Sequence, residues 1–432
     1  MVALQPIFLK AYWTLAIVGI IWSAFIACLI EPRIQRHALY AHRIWSHYGG
    51  NVSVPEEFGF AKGQVQPFWL DTTDGEKLFC WHVLPLNVYF EHEVELVQAS
   101  STGEIAHGLE GTVGAKLLKR DGESKLVVNF HGNAEHVAQG YRPSTYRSIS
   151  GIPNTHLLTC DYRGFGLSTL TNPPHIPTET GIITDAISLL DYVSTALHHP
   201  TSRTVLLGQS LGTAVTAATA LYYADPSSVH LPPDLVAPAS PPPPNHPFAA
   251  IILVAPFPDL PSLLHTYRIA GILPILRPLR GYPRILSFFT ARVVDTWRTT
   301  PRLLALLRAS ASSSQTQTHL HLHLLHARND ADIPFREAED VFAALQTAML
   351  RAEGVSAIEE RRSIHGGDRV RRGAFAYKKV EDAKRQTTVE LEVVRFGGHN
   401  EVVGWAQVAL AVRRAFADVE SRERGKVGLD VE

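Results

Sequence analysis

Thr204-Val205-Leu206-Leu207-Gly208-Gln209-Ser210-Leu211-Gly212-Thr213-Ala214-Val215-Thr216-Ala217-Ala218 is the stretch whose reading decides the fold. An apolar run enters a G-x-S-x-G pentapeptide, and a run of small residues leaves it. That order suits a strand, a sharp turn and a helix, the setting of a nucleophile elbow. The turn is so tight that a side chain at either flanking position would collide with strand or helix, and glycine fills both. Ser210 then stands at the top of a sheet, at a helix N-terminus with free N–H groups and a positive dipole end. A bare G-x-S-x-G arises by chance in roughly one chain in seven of this length. The strand before it and the helix after it give the pattern its weight.

The flanking sequence repeats the same rhythm. Lys125–Phe130 is a short apolar strand that ends in His131-Gly132-Asn133-Ala134-Glu135. His156–Asp161 is another and ends in Tyr162-Arg163-Gly164-Phe165-Gly166. Ile182, Ala186, Leu189, Leu190 and Val193 carry helical spacing between that strand and the elbow strand. Residues 249–254, 320–325 and 389–394 read as three further strands. Nearly all-apolar strands alternating with helices predict an α/β fold whose mostly parallel sheet has helices on both faces. Leu78–Pro85 alternates instead and predicts an early antiparallel strand.

A serine hydroxyl is a weak nucleophile at neutral pH and needs a base, which in turn needs an orienting group. Two strand ends offer them. The strand at 320–325 runs out into His326-Ala327-Arg328-Asn329-Asp330-Ala331-Asp332-Ile333-Pro334, and the last strand into Gly397-Gly398-His399-Asn400. Strand C-terminal ends are where open α/β sheets collect their sites. Ser210, Asp330 and His399 are therefore the expected catalytic residues, with Asp332 as the alternative carboxylate. The bend at Gly132 would aim the Asn133 N–H at a developing negative charge, and with the Leu211 N–H it would form an oxyanion hole. His319, His321, His323 and His326 invite a metal reading. Same-face strand positions lie about 7 Å apart, too far for one small ion, and no carboxylate cluster is evident beside them. Neither a metal nor a cofactor is expected.

HGNAE at 131–135, DYRGFGLS at 161–168, GQSLG at 208–212, HARNDADIP at 326–334 and GGHN at 397–400 stand in one register. Together they resemble the membrane-anchored α/β-hydrolase-domain serine lipases, the lysophosphatidylserine lipase and monoacylglycerol lipase-like group. The resemblance covers roughly 66–345 and 389–417, plus an N-terminal anchor. It implies an α/β-hydrolase fold and serine hydrolysis of lipid esters at the endoplasmic reticulum membrane, with the body lumenal. It carries the nucleophile to Ser210, the acid to Asp330, the base to His399 and the oxyanion donors to Asn133 and Leu211. A thioesterase or depalmitoylase would use the same triad. A non-catalytic hydrolase-fold scaffold would not need it.

Composition bounds the partners. The net charge is -1 over 432 residues, which gives no reason to expect nucleic acid. Ala11–Ile30 is twenty uncharged residues, long enough at about 1.5 Å per residue to span a bilayer core. Residues 1–32 are expected to be a retained signal anchor and 33–67 a polar connector. The hydrolase domain is expected over 68–420. In this reading the anchor is a tether that the sheet does not use. Arg33, Arg36 and Arg43 after the span favour a cytosolic body by the positive-inside rule. The sequon Asn51-Val52-Ser53 favours a lumenal one. The three cysteines, Cys28, Cys80 and Cys160, are too few and scattered for a disulfide framework. Cys160 reads as a small buried hydrophobe.

Residues 257–307 lie between two sheet strands and are apolar with interspersed arginines, which suits a helical cap facing lipid. Insertions are expected at about 91–123 (an insertion or long hairpin), 225–247 with its proline run Pro241–Pro244, 309–318, and the basic stretch 351–388. The expected partners are a lipid ester substrate and the bilayer.

Overall fold

The computed structural model describes residues 6–43, 50–120, 122–238, 248–312, 319–352, 372–382, 384 and 386–429. The run Pro241–Pro244, residues 313–318, and Arg361, Arg362, Arg369 and Arg371 of the basic stretch lie outside them.

Helix α1 spans Pro6–Cys28 and α2 spans Pro32–Tyr40. Among the described residues α1 is long and apolar enough to cross a membrane. Helix α2 starts where Glu31 caps the Ile34 N–H at 2.8 Å, with Pro32 in the first turn, and stops at Ala41 with a positive φ of 46°. The sheet begins with β1 (Val65–Asp71) and β2 (Lys77–Val83), paired antiparallel. Next come α3 (Leu86–Ala99), the short β3 (Ala106–His107) and α4 (Val113–Arg120). The parallel core follows: β4 (Lys125–Phe130), α5 (Arg142–Ser150), β5 (Thr155–Cys160), α6 (Glu179–Thr195), β6 (Thr204–Gln209), α7 (Leu211–Ala224) and β7 (Ala250–Val254). The cap contains α8 (Leu260–Leu263), the hairpin of β8 (Arg268–Ile269) and β9 (Leu273–Pro274), α9 (Pro283–Thr290) and the start of α10 (Thr299–Ser312). The chain closes with β10 (Leu320–Ala327), α11 (Arg336–Ala352), β11 (Ala376–Asp382), β12 (Thr387–Val394) and α12 (Ala406–Leu429).

Among the described residues ten strands form one sheet, in the order β11-β12-β10-β7-β6-β4-β5-β2-β1-β3. From β12 to β5 every neighbour is parallel, and β2 and β11 pair antiparallel at the flanks. The apolar composition of the central strands follows from burial on both faces: every residue of β4 after Lys125, and all of β5, β6 and β7, is buried. One face packs Leu206, Leu253 and Leu322 under α6, α7 and α11. The other packs Val205, Ile252 and Leu325 under α5 and α12. Parallel strands crossed by helices on both faces make this an α/β-hydrolase fold.

Several sequence expectations change. Cys80 and Cys160 form a disulfide, because the antiparallel β2–β5 register sets them directly opposite each other. Pairing depends on strands 80 residues apart becoming neighbours, which spacing cannot show. The stretch 91–123 is not a long hairpin. It holds most of α3, then β3 and α4, and its apolar residues Leu96 and Leu117 pack with Leu84 and Tyr89. The described end of the basic stretch supplies β11, an edge strand whose lysines Lys378 and Lys379 suit an exposed edge. The connector is part helix, and α2 packs into the body. The cap is only partly helical.

Candidate active site

The elbow is built as its glycines require. A Cβ on Gly208 would lie 2.4 Å from the Gly212 carbonyl oxygen, and one on Gly212 would lie 2.0 Å from that of Phe130. No larger residue fits either place. Ser210 itself takes φ 52° and ψ -119°, an unfavourable region for a side-chain-bearing residue. Such a conformation costs of order 1–3 kcal/mol. Val205, Leu206, Leu207, Leu211 and Val215 are all buried around it, and each contributes about 1.5–3 kcal/mol on burial. The packing of β6 and α7 therefore outweighs the strain, and the Ser210 N–H is tied to the Val254 carbonyl at 2.9 Å.

The fold brings the expected side chains together. The Ser210 hydroxyl lies 3.0 Å from His399 Nε2, and His399 Nδ1 lies 2.7 Å from Asp330 Oδ2. With the proton on Nδ1, Asp330 accepts from the ring and Nε2 is free to accept from the serine. Asp330 Oδ1 accepts the N–H groups of Asp332 and Ile333 at 2.9 and 2.8 Å, which fixes the carboxylate plane. Asp332 lies beside the ring, its carboxylate within 4.8 Å of a His399 nitrogen, but its hydrogen bond is made to the cap: its Oδ1 accepts the Gly271 N–H at 2.6 Å and so joins the acid loop to the cap hairpin. The geometry distinguishes the two carboxylates where the sequence left both open.

Two holding groups escaped the sequence reading. Gln209, the variable residue of the pentapeptide, donates from Nε2 to the His399 carbonyl at 3.0 Å. Asn329 accepts the Gly398 N–H at 3.0 Å, joining the acid and histidine loops a second time. No sequence signal marks either, because both contacts cross the tops of different strands.

The loop after β4 passes close to the elbow, with a Gly132 Cβ position 3.5 Å from Ser210 Cβ. Ala134 and Glu135 both have positive φ, at 64° and 58°. A buried arginine holds this unfavourable loop. Arg142 Nη2 donates to the carbonyls of Gly132, Asn133 and Ala134 at 3.0, 2.8 and 3.0 Å, and Nη1 donates to that of His136 at 2.6 Å. Leu211 opens α7, where the first N–H groups lack intrahelical acceptors. Asn133 and Leu211 thus flank Ser210 in one cavity.

Charge at the site follows from burial and neighbours. Burial disfavours the imidazolium of His399, but the Asp330 charge and hydrogen bond outweigh it and Asp332 adds to them, so its pKa lies above the usual histidine value. Burial would raise Asp330, yet His399 and His326 hold it well below the usual carboxylate range. Asp332 is raised, mainly by burial.

The cavity above Ser210 measures about 590 Å³, within the range of about 300–1,000 Å³ typical of small-molecule sites. Its walls come from the elbow, the cap and the N-terminal helices. Leu260, Leu263 and Ile275 line it from the cap, and Phe25, Leu29 and Leu39 from α1 to α2. The N-terminal segment, expected as a detached tether, thus borders the site.

The histidine strand also differs from expectation. Glu390 on β12 comes within 3.5 Å of His321 Nε2 and 3.6 Å of His323 Nδ1, so a carboxylate does join these rings. Sheet pairing across β10 and β12 supplies it. Arg372 reaches Glu390 at 3.1 Å and Glu392 at 3.5 Å, and Arg414 reaches Glu392 at 3.8 Å. These guanidiniums already balance the carboxylates, and a cation there would meet two positive charges.

A family model described as serine aminopeptidase S33, a hydrolase family, matches residues 122–353. Human Protein ABHD12B is 34% identical over 148 residues, 34% of this chain and 34% of that protein. The uncharacterized protein YfhR of Salmonella typhi is 39% identical over 88 residues, 20% of this chain and 27% of that protein. Both stretches cover well under two thirds of the relative. Among solved structures, an alpha-beta hydrolase from Vibrio vulnificus aligns with TM-score 0.49 at 13% identity over 90% of this chain and 92% of its own. The Pyrococcus furiosus esterase Pf2001 aligns with TM-score 0.41 at 14% identity over 87% of this chain and 96% of its own.

Proposed function

The chain belongs to the serine aminopeptidase S33 family of hydrolases, and from that premise we propose that it is a membrane-anchored serine hydrolase of lipid carboxylic esters, a monoacylglycerol or lysophospholipid. One observation carries this reading: the Ser210–His399–Asp330 relay, at 3.0 and 2.7 Å, opens into a cavity walled mainly by apolar side chains, aliphatic and aromatic.

Each step is assigned to a named group. His399 Nε2 takes the Ser210 proton as Oγ attacks the ester carbonyl, and Asp330 stabilises the imidazolium that forms. The N–H groups of Leu211 and Asn133 receive the oxyanion. His399 then gives its proton to the leaving glycerol oxygen, and an acyl-enzyme remains on Ser210. Water, activated by the same histidine, attacks the acyl-enzyme and releases the fatty acid.

Helix α1 is read as the anchor and the endoplasmic reticulum as the membrane. The Cys80–Cys160 disulfide supports a lumenal body, since such bonds persist in oxidising compartments. The exposed Asn51 accepts from the Ser53 hydroxyl at 2.7 Å within its sequon.

A fluorophosphonate probe followed by a lipid-extract screen tests the proposal. Labelling at Ser210 together with release of fatty acid from glycerol esters is the expected result. Labelling with turnover confined to acyl thioesters would move the assignment to a thioesterase. A wild-type protein that takes no label would be a scaffold.

A further inference from the structure

Helix α1 does not end at a flexible join. Ile26 in its last turn is 2% exposed and packs with Ile275 and Leu276 of the cap. Trp22 Nε1 donates to the Ile275 carbonyl at 3.2 Å. Helix α2 is fastened more firmly still. Arg36 makes a bidentate pair with Asp295 at 2.9 and 3.1 Å, and the Tyr40 hydroxyl donates to the same carboxylate at 2.8 Å. Gln35 donates to the Arg292 carbonyl at 3.0 Å and accepts the Val294 N–H at 2.7 Å. Tyr40 is fully buried, edge-on to Phe165 and Trp297. The side-chain amide of Asn133 donates to the Leu39 carbonyl, which joins the loop after β4 to this segment.

Apolar residues flank this joint on both sides. The outward residues of α1, among them Leu15, Ile17 and Ile20, are exposed and aliphatic. Ile272, Leu273, Ile285 and Phe288 on the adjoining cap are exposed and apolar as well. Between the two surfaces Leu29, Leu286 and Phe289 pack around Ile26, and Phe25, Leu29, Ala38 and Leu39 face the Ser210 cavity. An acyl chain moving from the outer face of α1 to Ser210 along this route would meet mainly apolar side chains.

We propose that the end of α1 together with α2 is the acyl-chain wall of the active site, and that a lipid enters from the bilayer through the seam between this segment and the cap. The inference rests on the lipid-ester reading above and adds the route and the residues that hold the chain. The helix is then part of the substrate site as well as an anchor.

Two measurements on the full-length protein in nanodiscs test it. The first uses a long-chain alkyl fluorophosphonate with a diazirine near the chain terminus. Irradiation should crosslink the Ser210-bound probe to peptides covering residues 25–39. Crosslinks confined to other parts of the chain would overturn the wall assignment while leaving the hydrolase reading intact. Failure of the probe to label Ser210 at all would instead remove the hydrolase reading and the inference with it. The second compares 1-oleoylglycerol with p-nitrophenyl butyrate. Ala38→Trp and Leu29→Trp should lower the long-to-short ratio of kcat/KM by about ten-fold or more, as expected for a filled apolar pocket. Ile7→Trp, exposed near the opposite end of α1 from the seam, should leave the ratio unchanged. An unchanged ratio in both wall variants, with their thermal midpoints retained, would overturn the proposal.

Discussion

The side-chain amide of Gln209 donates to the backbone carbonyl of His399 at 3.0 Å, across 190 residues of chain. One residue of the elbow thus places the nucleophile while its neighbour holds the loop that carries the expected base. Gln209→Leu keeps the volume and removes the bond. One hydrogen bond contributes about 0.5–1.5 kcal/mol, and about 1.4 kcal/mol is ten-fold in rate. A fall of about 2- to 10-fold in kcat, with KM nearly constant, is expected in steady-state kinetics. Full retention of kcat would show that the loop is held without Gln209.

Ser210→Ala should abolish fluorophosphonate labelling and lower kcat by about 10⁴-fold or more, with the thermal midpoint preserved. Asp330→Asn should fall nearly as far, because Asp330 Oδ2 is the acceptor 2.7 Å from His399 Nδ1. Asp332→Asn should be much milder, since its carboxylate engages the Gly271 N–H instead. Equal losses at the two aspartates would contradict this division of roles.

The pH profile has a fixed sign. The base works only when neutral, so kcat/KM must fall as pH drops through the His399 pKa. Burial lowers that pKa, but Asp330, with a smaller contribution from Asp332, raises it above the usual histidine value. The acid limb should therefore have its midpoint above about 6.5. Asp332→Asn removes one raising charge and should move the midpoint to lower pH. A shift to higher pH would mean that Asp332 does not act on His399 through its charge.

Arg142 is buried, and its guanidinium donates to four carbonyls around the Gly132–Ala134 bend and His136. The Gly132 carbonyl also meets His131 Nδ1 at 2.7 Å and that of His136 accepts the Gln139 N–H at 3.0 Å, so Arg142→Met takes the donor from the carbonyls of Asn133 and Ala134, each at about 1–3 kcal/mol. A loss of about 2 kcal/mol or more in denaturant unfolding is expected, together with a lower kcat, because the loop with two positive-φ residues loses its support. Wild-type stability in this variant would rule out that role.

The Cys80–Cys160 bond closes a separation of 80 residues. The Cys80→Ala/Cys160→Ala double variant should lose about 2–4 kcal/mol of stability. Adding reductant should destabilise the wild type by a similar amount and leave the double variant unchanged. A wild type indifferent to reductant, with both thiols free to alkylation, would show that the bond does not form.

The elbow, the strand rhythm and the serine, aspartate and histidine at successive strand ends were legible in the sequence by itself. They are local: a glycine demanded by a tight turn and an apolar strand demanded by two-sided burial leave their mark on adjacent residues. Everything that depends on distant segments becoming neighbours was decided only by the tertiary structure. Strand pairing set Cys80 opposite Cys160 and brought Glu390 to the histidines of β10. The meeting of the loops after β6, β10 and β12 separated Asp330 from Asp332 and put Gln209 on His399. Arg142 is one arginine among forty lysines and arginines until the fold buries it. Composition alone made α1 long and apolar enough to cross a membrane. Its last turn became a wall of the site because Ile26 and Tyr40 are buried against residues some 250 positions away, Ile275 and Asp295 among them, and no local pattern records a contact of that range.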